Sequence, residues 1–230
     1  MGLFKKKKEK TTYSTLFVAM MVINITCLIV SNIIVIKTAN IFGLIFAASN
    51  ILYPITYVFD DVFAEVYGFK KARFVTWMSF LCNLIAVIFF AITIAMPPSS
   101  EFQYQSAIET VLGNTPRVLV ASFISFLLGS LANAAVLSKL KVWTEGKMLF
   151  LRTIGSTLVG EFIDSIIFFP IAFYGTISNQ SLVHLMVNAF CFKVALETLM
   201  TPFTYFVIGK VKKWDGIDTY DHGLRYRLFR

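Results

Sequence analysis

The sequence predicts an all-α integral membrane protein with six transmembrane helices, and three observations lead to this fold class. Hydrophobic residues make up 57% of the 230-residue chain and charged residues only 15%, whereas an average soluble domain has about 25% charged residues. Six apolar stretches each reach the roughly 20 residues that a helix needs to cross the hydrocarbon layer. Most basic residues lie in alternate connections between these stretches.

The six predicted spans follow one another through short connections. In lipid a helix satisfies its own backbone hydrogen bonds, so each span is predicted to be helical. Pro54 removes one helical hydrogen bond, and the second span is therefore expected to be broken near that residue. Residues 1–12 form a basic tail and residues 211–230 a C-terminal tail around the transmembrane domain 13–210. The spans are 13–36, 41–67, 74–96, 118–137, 149–174 and 182–209.

The basic residues predict the orientation of the chain. The N-terminal tail, the second-to-third connection, the fourth-to-fifth connection and the C-terminal tail, counted with Arg152 and Lys210 at the adjoining span ends, together hold 18 of the 21 lysines and arginines. By the positive-inside rule, both termini are expected to lie in the cytoplasm. Because the basic residues are spread over four segments, they fit contact with anionic lipid of the bilayer, and we expect no nucleic-acid partner.

The chain offers little for catalysis or cofactor binding. Cys27, Cys82 and Cys191 lie in three different apolar runs and the two histidines are far apart, so no metal or haem spacing exists and no cofactor is expected. We interpret the cysteines as buried packing residues. Without a Walker A loop the chain cannot hydrolyse ATP alone. Asp61 and Asp164 could nominally form an aspartyl protease pair, but the glycine-rich flanking signatures are missing, so we do not expect an enzyme.

Seven ionisable side chains lie inside or at the edges of the predicted spans. They are Asp60, Asp61, Glu65, Glu161, Asp164, Lys193 and Glu197. A charge at the middle of a bilayer costs at least about 3 kcal/mol, so such residues usually have a function. The set predicts a polar site for a small solute inside the bundle. A salt-bridge lattice that only holds the helices together is the alternative.

Counting residues from the outer ends of the fifth and sixth spans places their charges at matching depths. At 1.5 Å per residue, Asp164 lies about 15 Å deep and Lys193 about 16 Å deep, so these two side chains are expected to meet. Glu161 and Glu197 lie one turn deeper and are expected to approach each other. One lysine cannot neutralise three carboxylates, so either a carboxyl group is protonated or a ligand completes the charge balance.

Three ordered motifs lie on three of the spans. The second span contains Tyr-Pro-x-Thr-Tyr at 53–57, Asp61, Glu-Val-Tyr-Gly at 65–68 and Lys-Lys-Ala-Arg at 70–73. The fifth contains Arg152, Ser-Thr at 156–157 and Asp-Ser-x-x-Phe at 164–168, and the sixth contains Phe-Lys-Val at 192–194, Thr-Pro at 201–202 and Tyr205. Together they resemble the queuosine precursor transporter family, also called the vitamin uptake transporter family, over residues 13–221. Two positions depart from the family's pattern: Asp60 replaces a small residue and Glu161 replaces what is more often an amide.

The resemblance implies uptake of 7-cyano-7-deazaguanine or 7-aminomethyl-7-deazaguanine, which are precursors of queuosine. The adjacent N–H donors of a guanine-like edge fit one carboxylate, and Asp164 or Glu161 is the expected contact. Lys193 is expected to donate to the base carbonyl, and aromatic side chains are expected to stack on the ring. The other candidates are the stacking residues Tyr57, Phe168 and Tyr174, the amide Asn83, and the acids Glu197, Asp61 and Glu65.

The sequence leaves energy coupling and assembly open. Buried carboxylates could carry a proton along with the solute, and facilitated diffusion would serve equally well. A solute-binding subunit for another vitamin-like molecule, working with separate ATPase subunits, and an ion channel are the alternative functions. A homodimer is predicted through a face of small residues on the fourth span. That face consists of Gly129, Ala132, Ala134 and Ala135.

Overall fold

A computed structural model describes residues 13–35, 37–41, 44–113, 116–175, 178–224 and 226. Within these residues the regular secondary structure is helical apart from one short β-hairpin, which precedes a 3-10 turn, Ala48–Ile51. The elements in chain order are α1 (Thr15–Ile34), β1 (Thr38–Ile41), β2 (Leu44–Ala47), α2 (Tyr53–Tyr67), α3 (Phe69–Ala95), α4 (Gln105–Leu112), α5 (Pro116–Trp143), α6 (Leu149–Phe173) and α7 (Asn179–Asp215).

Five of the six predicted spans are confirmed as helices. Among the described residues, five helical segments are long and apolar enough to cross a membrane, and they contain α1, α3, α5, α6 and α7. The polar connection after α3 holds the additional short helix α4. The second predicted span is correct only in its second half, because α2 has 15 residues.

The prediction of a helix through residues 41–52 is wrong. Strands β1 and β2 pair antiparallel, with Thr38 opposite Ala47 and Ile41 opposite Leu44. Pro54 lies in the first turn of α2, where a residue without an N–H loses no helical hydrogen bond. An apolar run does not by itself distinguish a buried strand from a helix, which is why the hairpin was not expected.

Helix α2 lies in the middle of the bundle. Its residues Val62, Phe63 and Val66 are fully buried, and the Phe17 ring of α1 packs edge-on against Phe63 at 5.4 Å and Tyr67 at 4.9 Å. At about 22 Å, α2 is shorter than the roughly 30 Å hydrocarbon layer. Because other helices surround it, its ends need not expose backbone groups to lipid. Val75, Leu137 and Ile208 complete this core from α3, α5 and α7.

Helices α5 and α6 approach each other closely through two glycines. A Cβ at Gly129 would lie 3.0 Å from the Gly160 carbonyl oxygen, and a Cβ at Gly160 would lie 2.8 Å from Cβ of Asn133. Gly129 therefore packs within the chain, and Ala134 is buried in the core. Both were predicted to lie in a dimer face, and the structure contradicts that prediction for these two residues. The other two residues of that face, Ala132 and Ala135, line an apolar crevice of about 310 Å³.

Both ends of the helical domain lie at the same end of the bundle. The Ser14 hydroxyl, which caps α1, donates to Asp215 at the end of α7. The Tyr67 hydroxyl at the end of α2 also donates to Asp215, at 2.6 Å. We call this end the basic end, because it also carries the lysines and arginines of the second-to-third and fourth-to-fifth connections.

The C-terminal residues after α7 fold back onto the basic end. The Thr219 N–H donates to the Val66 carbonyl at 3.0 Å, and Asp221 accepts from the Phe69 N–H at 2.7 Å, which caps α3. Gly68 joins α2 to α3 with φ at +81°, and a Cβ there would lie 2.8 Å from the Thr219 side chain. A glycine is therefore required at this position both for its backbone conformation and for the close approach of the tail.

The three cysteines differ in their surroundings. Cys27 and Cys82 are half-buried, whereas Cys191 is exposed on α7. The prediction that all three are buried packing residues is therefore wrong for Cys191, because this residue lies on a face of α7 that other helices do not cover.

Gly160→Ala tests the packing of α5 against α6. The new methyl group would press on Asn133 and on the Gly129 carbonyl, and such overpacking costs about 1–3 kcal/mol. We expect a lower melting temperature for purified protein in detergent. Gly209→Ala on α7 is the matched control, since nothing lies within 4 Å of that position and alanine favours a helix by up to about 1 kcal/mol. Equal melting temperatures for both variants would contradict this packing.

Candidate functional site

Three charged side chains meet between α6 and α7, and we call them the lysine triad. Lys193 Nζ lies 2.6 Å from Asp164 Oδ2 and 2.8 Å from Glu161 Oε2. The contact between Lys193 and Asp164 confirms the match of depths predicted from the sequence. The triad side chains remain 14–21% exposed. One lysine faces two carboxylates, which leaves one formal negative charge.

Aromatic side chains of α2 and α6 accompany the triad. The Tyr57 hydroxyl faces Glu161 and can donate to it, and the Tyr53 ring stacks on Tyr57 with centroids 6.0 Å apart. Phe168 lies one turn from Asp164 on α6 and packs edge-on against Phe169 at 5.2 Å. The site thus combines ionic groups with flat apolar surfaces.

Three further acids lie one turn nearer the basic end, and we call them the carboxyl cluster: Asp60, Asp61 and Glu197. Their partners are neutral. Asn24 Nδ2 donates to Asp60 Oδ1 at 3.1 Å, and Thr157 donates to Glu197. The Asn133 amide faces Asp61. The ion pairs found among the described residues involve none of these three acids.

Glu65 lies in a separate group of charges at the basic end, which we call the Glu65 network. It is fully buried, and its Oε1 lies 2.7 Å from Arg152 Nη2, 3.0 Å from Lys212 Nζ and 3.7 Å from Lys141 Nζ. Lys212 also lies 3.0 Å from Asp218, and Lys141 contacts the same carboxylate. Two acids thus meet three basic groups, and the formal charge of the network is +1.

The structure brings together some of the residues predicted for the site and separates others. Asn83 bonds to Asn32 of α1 at 2.6 Å instead of joining the acids. Tyr174 is 63% exposed at the end of α6, and its carbonyl accepts from Arg117. Both predictions are corrected: Asn83 pairs with α1, and Tyr174 lies exposed at the end of α6. Glu65 belongs to the network described above and is 0% exposed.

Sequence reasoning also missed partners that the structure supplies. Asn24 and Asn133 lie in apolar spans and contact the acids of α2. Their polarity within a membrane helix was a usable signal. Lys141 and Lys212 were counted only as cytoplasmic charges. Their long side chains reach back into the bundle, which residue counting along a helix does not show.

Comparison with known proteins identifies the family of the chain. Residues 47–207 match the sequence model of the family described as "Putative vitamin uptake transporter". The chain belongs to this family. A protein of Bacillus subtilis (strain 168) named "Probable queuosine precursor transporter" is 29% identical to it over 176 residues, which are 76% of this chain and 77% of the relative. No solved structure matches.

Membership of the vitamin uptake transporter family fixes the broad function. The chain is a transporter and not an enzyme, and it is a multi-pass protein of the cell (inner) membrane. The family match begins at the end of the hairpin and ends within α7, so it includes the lysine triad, the acids of α2 and Arg152.

Asp218 gives the Glu65 network a dependence on pH. Burial raises the pKa of Asp218, but hydrogen bonds from Lys141 and Lys212 outweigh this and bring the pKa below its ordinary value. The acid therefore stabilises the fold at pH values above the ordinary pKa, and this is lost as the pH falls through the lowered pKa. We expect Asp218→Asn to lower the melting temperature at pH 7, and the difference from wild type to close below about pH 4.

The control for Asp218→Asn is Glu101→Gln, which changes an exposed acid in the loop before α4. Its melting temperature should follow that of wild type throughout. A difference between Asp218→Asn and wild type that stays constant down to acidic pH would show that the carboxylate charge is not what stabilises the tail.

Arg152→Met tests the pairing of Glu65. Removing one partner of a buried ion pair costs about 3 kcal/mol or more, because the remaining charge is left buried. We expect a clear fall in the melting temperature. Lys147→Met is the matched control, since the Lys147 side chain is exposed five residues away. If Arg152→Met melts like the control, Lys212 and Lys141 alone neutralise Glu65.

Proposed function

We propose that the protein takes up the queuosine precursors 7-cyano-7-deazaguanine or 7-aminomethyl-7-deazaguanine into the cytoplasm. The observation that carries the proposal is the lysine triad, in which charges from α6 and α7 meet deep in the bundle and remain partly exposed. The name of the Bacillus subtilis relative supports the substrate class.

The chemistry of the triad suits a guanine-like base. The ring N–H and the exocyclic amine are adjacent donors, and Glu161 or Asp164 can accept both. Lys193 can donate to the base carbonyl. Tyr57 and Phe168 can stack on the flat ring. A bound base would therefore replace part of the contact between the lysine and its acids with hydrogen bonds of its own.

The architecture of α2 supports transport over a fixed structural role for the charges. In transporters, a helix that begins partway through the membrane often borders the solute site. Here α2 begins at Tyr53 after a hairpin and a 3-10 turn, and Tyr57 follows one turn later. A lattice built only to hold helices together would balance its charges, whereas the triad and the carboxyl cluster hold five acids and one lysine.

The basic end of the bundle is proposed to face the cytoplasm, as the positive-inside rule requires. Both ends of the helical domain lie at this end. Solute would then reach the triad from the opposite end of α6 and α7. Whether a proton accompanies the solute is decided by comparing uptake into liposomes with and without an imposed pH gradient.

Lys193→Ala and Asp164→Asn test the site. We expect saturable uptake of labelled 7-deazaguanine by wild-type protein in liposomes, with guanine and adenine as weak competitors. Each variant loses a buried, charged hydrogen bond worth 2–5 kcal/mol, so the affinity should fall by roughly 30-fold or more. Lys213→Ala is the control, because this lysine is exposed on the same helix.

Two results would count against the proposed function. Full uptake by both Lys193→Ala and Asp164→Asn would remove the triad as the site. Saturable uptake of riboflavin or another vitamin, with no response to either deazaguanine, would remove the substrate class while keeping the protein a transporter.

A further inference from the structure

We infer that the carboxyl cluster is a subsite for an ammonium group, so that this transporter selects the aminomethyl form of its substrate over the cyano form. The inference rests on the proposed function and adds a specificity to it. It concerns Asp60, Asp61 and Glu197, whereas the base itself is assigned to the lysine triad.

The first observation is the absence of positive charge beside these acids. The carboxyl groups of Asp60, Asp61 and Glu197 are close enough to repel one another. Among the described residues their nearest donors are amides and a hydroxyl, and every ion pair lies elsewhere. A carboxyl group in a low-dielectric interior either binds a proton or needs a counter-charge, and no cation among the described residues pairs with this cluster.

The second observation concerns buried oxygen atoms that have no hydrogen-bond partner. Oδ1 of Asn24 and Oδ1 of Asp61 are without partners, although each residue is only 1% exposed. Oδ1 of Asn133, beside Asp61, is also without a partner. All three atoms are acceptors. Asn24 donates through its amide nitrogen to Asp60, so this unpartnered oxygen belongs to a residue that contacts the cluster.

An ammonium group meets both requirements. It carries a full positive charge at neutral pH, and it has N–H donors and no acceptor. A nitrile has no donor and would place its negative end among acceptors. Leaving a buried acceptor unpaired is costly, so the cluster discriminates between the two substituents.

The position of the cluster fits a base held by the triad. On α2, Asp60 and Asp61 follow Tyr57 by about one turn, which is a rise of roughly 5–6 Å. On α7, Glu197 follows Lys193 by the same distance. A bicyclic base that stacks on Tyr57 and bonds to the triad can therefore direct a ring substituent toward the cluster.

The test compares the two bases directly in binding and uptake by protein in liposomes. We expect wild type to bind 7-aminomethyl-7-deazaguanine roughly 30-fold more tightly than 7-cyano-7-deazaguanine. Asp61→Asn, Glu197→Gln and Asp60→Asn should each reduce this ratio about tenfold or more, because binding of the aminomethyl base weakens while the nitrile of the cyano base faces one acid fewer. Glu109→Gln, on the exposed helix α4, is the control. Melting temperatures identify any variant that fails to fold, and the other two variants then carry the test.

The outcomes separate this inference from the proposed function. Equal affinities in wild type, with the cyano base still transported, would overturn the ammonium subsite and leave the function intact. A preference for the amine that survives all three substitutions would also overturn it. Proton uptake coupled to the cyano base, without preference for the amine, would show that protons occupy the cluster instead. If neither base binds, the proposed function itself fails.

Discussion

Acids carried into the interior of a membrane bundle need partners from other helices, and α2 carries three such acids within six residues. Asp60 accepts a hydrogen bond from α1, and Asp61 faces an amide of α5. Glu65 forms ion pairs with basic side chains of α5, α6 and α7. A short helix that cannot span the bilayer is thereby tied to every long helix except α3. Its connection to α3 is the single residue Gly68, which the C-terminal tail holds in place.

These partners divide the interior into three levels of different charge. The lysine triad has one formal negative charge, the carboxyl cluster has three acids with neutral partners, and the Glu65 network has one formal positive charge. The levels lie about a helical turn or more apart along α2 and α6. The first two levels are therefore the ones that a cationic or donor-rich solute would stabilise, whereas the acids of the third level are already paired with basic groups.

The sequence predicted much of this arrangement and missed identifiable parts. Counting depth along two antiparallel helices was enough to predict that Asp164 meets Lys193, because each helix is regular over that distance. The same method assigned no partner to Glu65. Arg152 and Lys212 reach Glu65 through long side chains, and a depth calculated from the helical rise per residue does not include the length of the side chain. The hairpin was missed because the apolar residues before Pro54 were interpreted as part of a transmembrane helix. Proline is compatible with the first turn of a helix as well as with a kink inside one, so Pro54 did not distinguish the two possibilities.

Burial and charge balance together explain why the triad and not the Glu65 network is assigned to the solute. Glu65 has no exposed surface and three basic neighbours, so its charge is already balanced and removal of any partner is costly. Lys193 is partly exposed and is shared by two acids, so one of the two lacks a full counter-charge. A nucleobase with N–H donors would supply hydrogen bonds to that acid. Partial exposure and an excess of acids over bases therefore distinguish the triad from the Glu65 network.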